Sequence, residues 1–330
     1  MSFYLGLKKK DIANLVIKDH VIRFLDGRDV NAIKIFDECY LPEGLIADGK
    51  IMDIHKLQQL LQPCVKQWGI KHREVRMTLP DSAVVVRNLQ LPAEVDDREL
   101  KSHIYMELGA SIHLPIEQPV FDVITLTRDD KKRDIMLYAA PEPLVNDYMK
   151  LFKSLKLEPV SAEVSPLAVY RLFRRLDTVQ AADHVLLVQF DVQFVTASIF
   201  KDNKLIFMRQ MKMNVPLREW KKEKDHFGNE YLIWTGDPDY LAAEIRNMIV
   251  EIERVMSYYR YTFSQGRDHI TKIMLTGDHY ELASISERMQ SATEAPVQSL
   301  NQYGLKTAKG MALPIRHYAS LGLAMKGVQA

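Results

Sequence analysis

Three consecutive lysines (Lys8-Lys9-Lys10), an Asp237-Pro238-Asp239 triplet, ten scattered histidines and two cysteines are the residues whose types could do chemistry here. No two histidines sit at an i, i+4 spacing beside a carboxylate, so His103 and His113 read as capped or core side chains rather than ligands. Asp237 and Asp239 around a proline read as a turn and helix cap before they read as a metal site. Cys39 and Cys64 are too few for a disulfide framework or a four-thiolate metal site. The lysine run reads first as a solvated turn. G-x-x-x-x-G-K-[ST], H-E-x-x-H, G-x-S-x-G and G-x-G-x-x-G are all missing from the sequence. The residues assemble no catalytic constellation and no metal site.

The elements that would position these residues show an internal echo. FYLGL, IANLVI and VIRFL, with a charged turn at Lys18-Asp19-His20, resemble HVLLVQF, FVTASIF and LIFM, with a charged turn at 201–204. Each set reads as three short β-branched or aromatic strands in a meander, so the chain is expected to carry a duplicated core in two lobes. Helical spacing links Leu57, Leu60, Leu61 and Val65, with Pro63 expected to perturb the end. A second helix is expected to open at Asp96-Asp97 and carry Leu100, Ile104 and Leu108. Pro141 and Pro143 open a third, with Leu144, Tyr148, Leu151, Phe152 and Leu155 facing a core. The longest helix is expected over Tyr240 to Phe263, packing through Leu241, Ile245, Met248, Ile249, Ile252, Val255, Met256 and Tyr259. A strand KIMLTG, a helix from Glu281 to Met289 and a last helix around Tyr318 to Lys326 follow. Strands alternating with helices make an α/β protein. Segment 83–162 interrupts the first lobe, and 214–238 reads as a solvated charged loop.

Composition sets the bounds. The 330 residues are expected to form two or three domains. At 47% hydrophobic and 26% charged, the chain is globular rather than disordered. A net charge of +1 lacks the footprint of a general nucleic-acid binder. No run reaches the roughly 18–20 apolar residues of a membrane span, and the N-terminus has no secretory h-region. The expectation is a soluble, reduced, cytoplasmic protein.

Several segments, in order, resemble the PilM family, the actin-like proteins of type IV pilus machines related to the division protein FtsA. SAVVVRNLQLP followed by DDRELKSHIYMELGASIHLPIEQPVFDV resembles the family's strand and "EL…E…IP…D" run. Arg87, Pro92, Glu99, Leu100, Glu107, Pro115 and Asp122 fall on the patterned positions. LIADGKIMDIHKL, EVSPLAVYRLF and YASLGLAMKG resemble its turn-helix, "E-P-A…R" and closing "A-LGLA" segments. The resemblance implies an α/β, two-lobed actin-like fold, each lobe on a ribonuclease-H-like meander, with an FtsA/PilM-type subdomain inserted in the first lobe. It places 1–82, 163–182 and 312–330 in the first lobe, 83–162 in the insert, and 183–311 in the second lobe.

In such proteins ATP with Mg²⁺ lies between the lobes, where an Asp-x-Gly turn in each meander lets backbone N–H groups approach phosphate and orients the metal's water. This sequence departs at every turn. The first copy reads Gly6-Leu7-Lys8-Lys9-Lys10-Asp11, with Gly6, Lys8 and Lys10 at the degenerate positions. The second puts Gln189 where the Asp belongs and Asp191, a carboxylate that repels phosphate, where the Gly belongs. The adenosine turn reads Thr276-Gly277-Asp278-His279, keeping only Gly277. No cofactor and no metal are therefore expected.

The resemblance further implies a scaffold that binds the cytoplasmic N-terminal tail of a PilN-like inner-membrane protein. The tail is expected between the first lobe and the insert, near Val84, Val86, Arg87, Leu89, Leu91, Leu114 and Pro115. No amphipathic tail follows Lys326, so membrane location is expected to be borrowed from the partner. The alternative is an ATPase of the same machine with a non-standard phosphate site, using Lys8, Lys9 or Lys10. An actin-like polymer or metabolic kinase of the same superfold is a third reading, for which no catalytic Asp can be placed.

Overall fold

The computed structural model describes residues 12–224, 228, 230–300 and 304–327. The first sheet opens with an antiparallel meander of β1 (Ala13–Lys18), β2 (Val21–Gly27) and β3 (Ile33–Tyr40). A short pair, β4 (Ile46–Ala47) and β5 (Lys50–Ile51), leads into α1 (Ile54–Gln67). Asp53 caps that helix, its carboxylate accepting from the Lys56 N–H at 2.9 Å. The helix runs on through Pro63 for another turn. β6 (Glu74–Leu79) then returns parallel to β1.

The insert follows as β7 (Val85–Pro92), α2 (Leu100–Glu107), β8 (Pro119–Arg128) and β9 (Lys132–Pro141). Its strands run antiparallel in the order β7-β9-β8, and α2 closes a small core of Leu91, Leu100, Ile104, Ile112, Ile135 and Leu137. The Asp96-Asp97 pair does not start the helix. Asp97 instead pairs with the buried guanidinium of Arg133 on β9, a demand that outweighs a helix cap.

The chain rejoins the first sheet earlier than 163. α3 (Glu142–Ser154) packs Tyr148, Leu151 and Phe152 into the cluster shared with α1, and β10 (Glu158–Val164) pairs in parallel with β6. α4 (Ser165–Arg175) crosses to the second sheet. There β11 (Val185–Phe190), β12 (Phe194–Lys201) and β13 (Lys204–Lys212) form the second meander. Segment 214–238 is a hairpin more than a loop, with β14 (Trp220–Lys224) and β15 (Glu230–Trp234) antiparallel. Lys221, Lys222, Glu223 and Lys224 face solvent while Trp220 and Leu232 are buried. α5 (Pro238–Ser257) ends in a π-helical stretch, Tyr258–Phe263. β16 (Lys272–Thr276), α6 (Leu282–Ala292), β17 (Val297–Ser299) and α7 (Tyr318–Ala324) complete the fold.

The strand orders β3-β2-β1-β6-β10 and β13-β12-β11-β16-β17 match, as do the antiparallel and parallel pairings. The duplication is real, but its register is shifted by one strand from the sequence echo. IANLVI, not FYLGL, is the counterpart of HVLLVQF, and Lys18-Asp19-His20 is the first turn of the meander. Gly6, Lys8 and Lys10 lie outside the described residues. Both apolar runs satisfy the same β pattern, so alternation alone did not single out IANLVI as the strand paired with β2.

Side-chain alternation along the central strands explains the layering. On β1, Leu15 and Ile17 face the cluster with α1 and α3, while Val16 faces α4 and α7. On β11, Val185 and Leu187 join that same α4–α7 cluster, and Leu186, Val188 and Phe190 face α5 and α6. The two sheets thus sandwich α4 and α7. These helices cross at Gly322, where an added Cβ would lie 1.9 Å from the Ala168 carbonyl oxygen. Arg171 donates to the Gly322 carbonyl at 2.6 Å and Arg76 to that of Ala324 at 2.9 Å, satisfying the end of α7. Gly322→Ala is expected to force the helices apart and cost at least about 1–3 kcal/mol, read as a lowered midpoint in urea unfolding with an unchanged slope.

Candidate functional site

The two meander turns and the β16–α6 turn meet between the sheets. The β1–β2 turn has only Asp19 and His20 at its tip, so Lys18 ends the strand pointing at the second lobe. Its Nζ lies 2.6 Å from Asp191 Oδ1 on the β11–β12 turn and 3.2 Å from Asp278 Oδ2 on the β16–α6 turn. His20 Nε2 is 3.1 Å, and Arg23 Nη1 2.8 Å, from the same Asp278 oxygen. Arg23 Nε also donates to Glu38 at 3.0 Å, and Glu38 accepts from Arg316 just before α7 at 3.0 Å. Lys18, Arg23 and Arg316 thus meet the carboxyls of Glu38, Asp191 and Asp278 in a set spanning both lobes, with Arg23 only 1% exposed.

Burial alone would raise the Asp278 carboxyl, but Lys18, Arg23 and His20 hold it well below the usual carboxylate range. The second carboxyl takes the opposite shift. Burial and the adjacent Asp278 push Asp191 up to about 7 against the pull of Lys18. Burial lowers His20 despite its contact with Asp278. It also lowers His317, with Arg23 and Arg316 adding to the effect.

The turn backbones fit each other too. Gly277 has φ +133°, and a Cβ there would meet the Phe190 carbonyl oxygen at 2.1 Å. The Asp278 N–H donates to Asp191 Oδ1 at 3.2 Å, and the His279 N–H to the Phe190 carbonyl at 3.1 Å. The missing side chain of Gly277 thus admits the neighbouring strand. Gln189 lies in β11, and its amide donates to Ser165 Oγ at 2.9 Å. Ser165 in turn donates its N–H to Asp81 at 2.9 Å, and burial raises the Asp81 carboxyl. The space left among Lys18, Asp19, Asp81, Ser165 and Asp191 is about 40 Å³. Small-molecule pockets occupy about 300–1,000 Å³. No group of three His, Cys, Asp or Glu among the described residues could hold a metal ion.

Of the expected positions, the structure brings Gln189, Asp191, Gly277 and Asp278 together. It does not gather the groove candidates on one surface. Leu89, Leu91 and Leu114 pack with α2 in the core of the insert. Val86 packs on the second-lobe cluster, and Val84 on the cluster around α4 and α7. Arg87 and Pro115 are exposed. Sequence reasoning missed Lys18, His20, Arg23, Glu38 and Arg316. One signal was present: Arg23 interrupts the apolar run VIRFL, and a charge inside a buried strand must meet a counter-charge.

Two five-stranded sheets of one topology, joined through crossing helices with their turns facing across a cleft, define an actin-like fold with an inserted subdomain. The family model described as type IV pilus assembly protein PilM matches residues 11–327, and the chain belongs to that family. Among solved structures it is similar to a PilM-PilN type IV pilus biogenesis complex, with a TM-score of 0.77 and 16% identity over 98% of this chain and 100% of that one. Ethanolamine utilization protein EutJ from Carboxydothermus hydrogenoformans is similar at a TM-score of 0.49 and 9% identity, covering 96% and 89% of the two chains. MreB 5 of Spiroplasma citri bound to AMPPNP is similar at 0.45 and 8%, covering 96% of each. No curated protein sequence matches the chain. No helix among the described residues is long and apolar enough to cross a membrane.

Lys18→Met would leave Asp191 and Asp278 facing each other in a buried site, and is expected to destabilise the protein by about 3–5 kcal/mol. The pH dependence has a definite sign. Asp191 has its folded-state pKa raised above the ordinary carboxylate value, so its contribution to stability is complete below about pH 4 and is lost as pH rises through about 7. The unsubstituted protein is expected to lose Tm between pH 4 and 8, and Asp191→Asn to flatten that fall. An unchanged slope would exclude Asp191 as its source.

Proposed function

We propose that this chain serves type IV pilus assembly as a scaffold that does not hydrolyse ATP, holding the cytoplasmic N-terminal tail of a PilN-like inner-membrane protein. It would sit at the inner face of the cytoplasmic membrane through that partner. The observation that carries the reading is the Lys18 ammonium between Asp191 and Asp278. The resemblance puts metal and phosphate at these turns, so a protein cation between them, with about 40 Å³ beside it, supports the reading. Support for the partner comes from the whole-length similarity to the PilM-PilN complex.

The tail would bind by pairing its backbone beside the insert and placing side chains in adjoining pockets. Arg87 and Pro115 are the exposed members of the expected groove. Leu91, being buried, would act through the fold of the insert.

Calorimetric titration and thermal unfolding test the proposal. A synthetic tail peptide of the organism's PilN-like protein at 100 Kd is expected to stabilise the chain by about 2.7 kcal/mol. Mg-ATP is expected to give neither heat nor a shift in Tm. Arg87→Glu should weaken the peptide without lowering Tm. Saturable Mg-ATP binding with phosphate release would overturn the scaffold reading in favour of an ATPase with a non-standard site.

A further inference from the structure

The chain has only two cysteines, 25 positions apart, and the fold brings them together. Cys39 lies on β3 and Cys64 on α1, both in the cluster on the outer face of the first sheet. The register between these elements is set one step away. Asp37 Oδ2 accepts from Gln67 Nε2 and from Trp68 Nε1, each at 2.8 Å, clasping the end of α1 to the strand. Two residues along β3 from Asp37, on the same face, is Cys39. One helical turn back from Gln67 and Trp68 is Cys64. Strand rise and helix pitch nearly agree over that step, so the clasp sets thiol against thiol. The two thiols are near enough to perturb each other's ionisation, and the Cys64 thiol donates to the Leu60 carbonyl oxygen at 3.7 Å.

The two thiols differ in exposure and acidity. Cys39 is buried, whereas Cys64 is half-exposed at the helix surface. Interaction with Cys64, then burial, raises the Cys39 thiol, while the same interaction lowers Cys64. An accessible, more acidic thiol backed by a buried one has the layout of a reactive and a resolving cysteine.

We propose that Cys39 and Cys64 are a modification site, forming a reversible intramolecular disulfide with a hydroperoxide as oxidant. The Cys64 thiolate attacks the peroxide oxygen, the O–O bond breaks, and an alcohol or water leaves with the proton. The resulting Cys64 sulfenic acid is attacked by Cys39 sulfur, which gives up its proton as water departs. Two thiols lose two electrons and two protons, and one peroxide is reduced. A dithiol reverses the bond by exchange. The product staples the edge strand of the first sheet to its covering helix, next to Tyr40, whose hydroxyl donates to the Glu230 carbonyl of the second-lobe hairpin at 3.2 Å.

The test treats reduced protein with hydrogen peroxide, then alkylates under denaturing conditions and reads intact and peptide masses. The expected result is a monomer that has lost two hydrogens, alkylates neither cysteine, yields one cross-linked peptide joining Cys39 to Cys64, and regains both thiols with dithiothreitol. Cys39→Ser should instead leave a Cys64 sulfenic acid that dimedone captures. Two alkylated cysteines, a Cys64 sulfinic acid beside a free Cys39, or disulfides between copies would each overturn the proposal.

Discussion

A lysine ammonium from one lobe, buried between two aspartates of the other, constrains the rest of this structure. Charges leave water only when they are paired, and removing either side strands the remainder in a low-dielectric site. Lys18 can reach Asp191 and Asp278 only if the two sheets hold their present spacing. Arg23, Glu38 and Arg316 extend the same demand along β2 and β3 to the segment before α7. The cleft between the lobes is thereby bridged by the chain's own charges.

That spacing is built by the helical layer between the sheets. α4 and α7 touch at Gly322 closely enough to exclude any side chain there. Tyr170 of α4 stacks on Phe200 of β12 with ring centroids 3.8 Å apart, locking the layer to the second sheet. Shape and charge act together at the turns. Gly277 admits the Phe190 backbone, which brings Asp278 to Lys18. The same close fit that positions the ions leaves about 40 Å³ beside Lys18, and the proposed scaffold role rests on this cleft.

Much of the site was legible only in part. Asp191 and Asp278 stood out because they fall on turns with a defined phosphate chemistry, beside the retained Gly277, and the structure gathers all three. The first turn was sought at Gly6 to Lys10 rather than at Lys18-Asp19-His20, since FYLGL and IANLVI carry the same alternation and local pattern carries no information on sheet order. Leu89, Leu91 and Leu114 were read as a groove, yet an apolar residue beside a strand edge looks the same whether it faces a peptide or its own helix. The convergence of Cys39 and Cys64 left no trace at all in the sequence.

What the sequence by itself determined is local: the β-branched runs, the helical stripes and the duplicated meander. These follow from side-chain type and periodicity within a few residues. What only the tertiary structure decided is which charges meet. Lys18 and Asp278 are 260 residues apart in sequence and 3.2 Å apart in space, and that approach depends on sheet order, helix crossing and turn fit acting together. Long-range pairing is a property of the packed chain, because a buried charge is satisfied by whatever counter-charge the packing delivers, at any distance along the sequence.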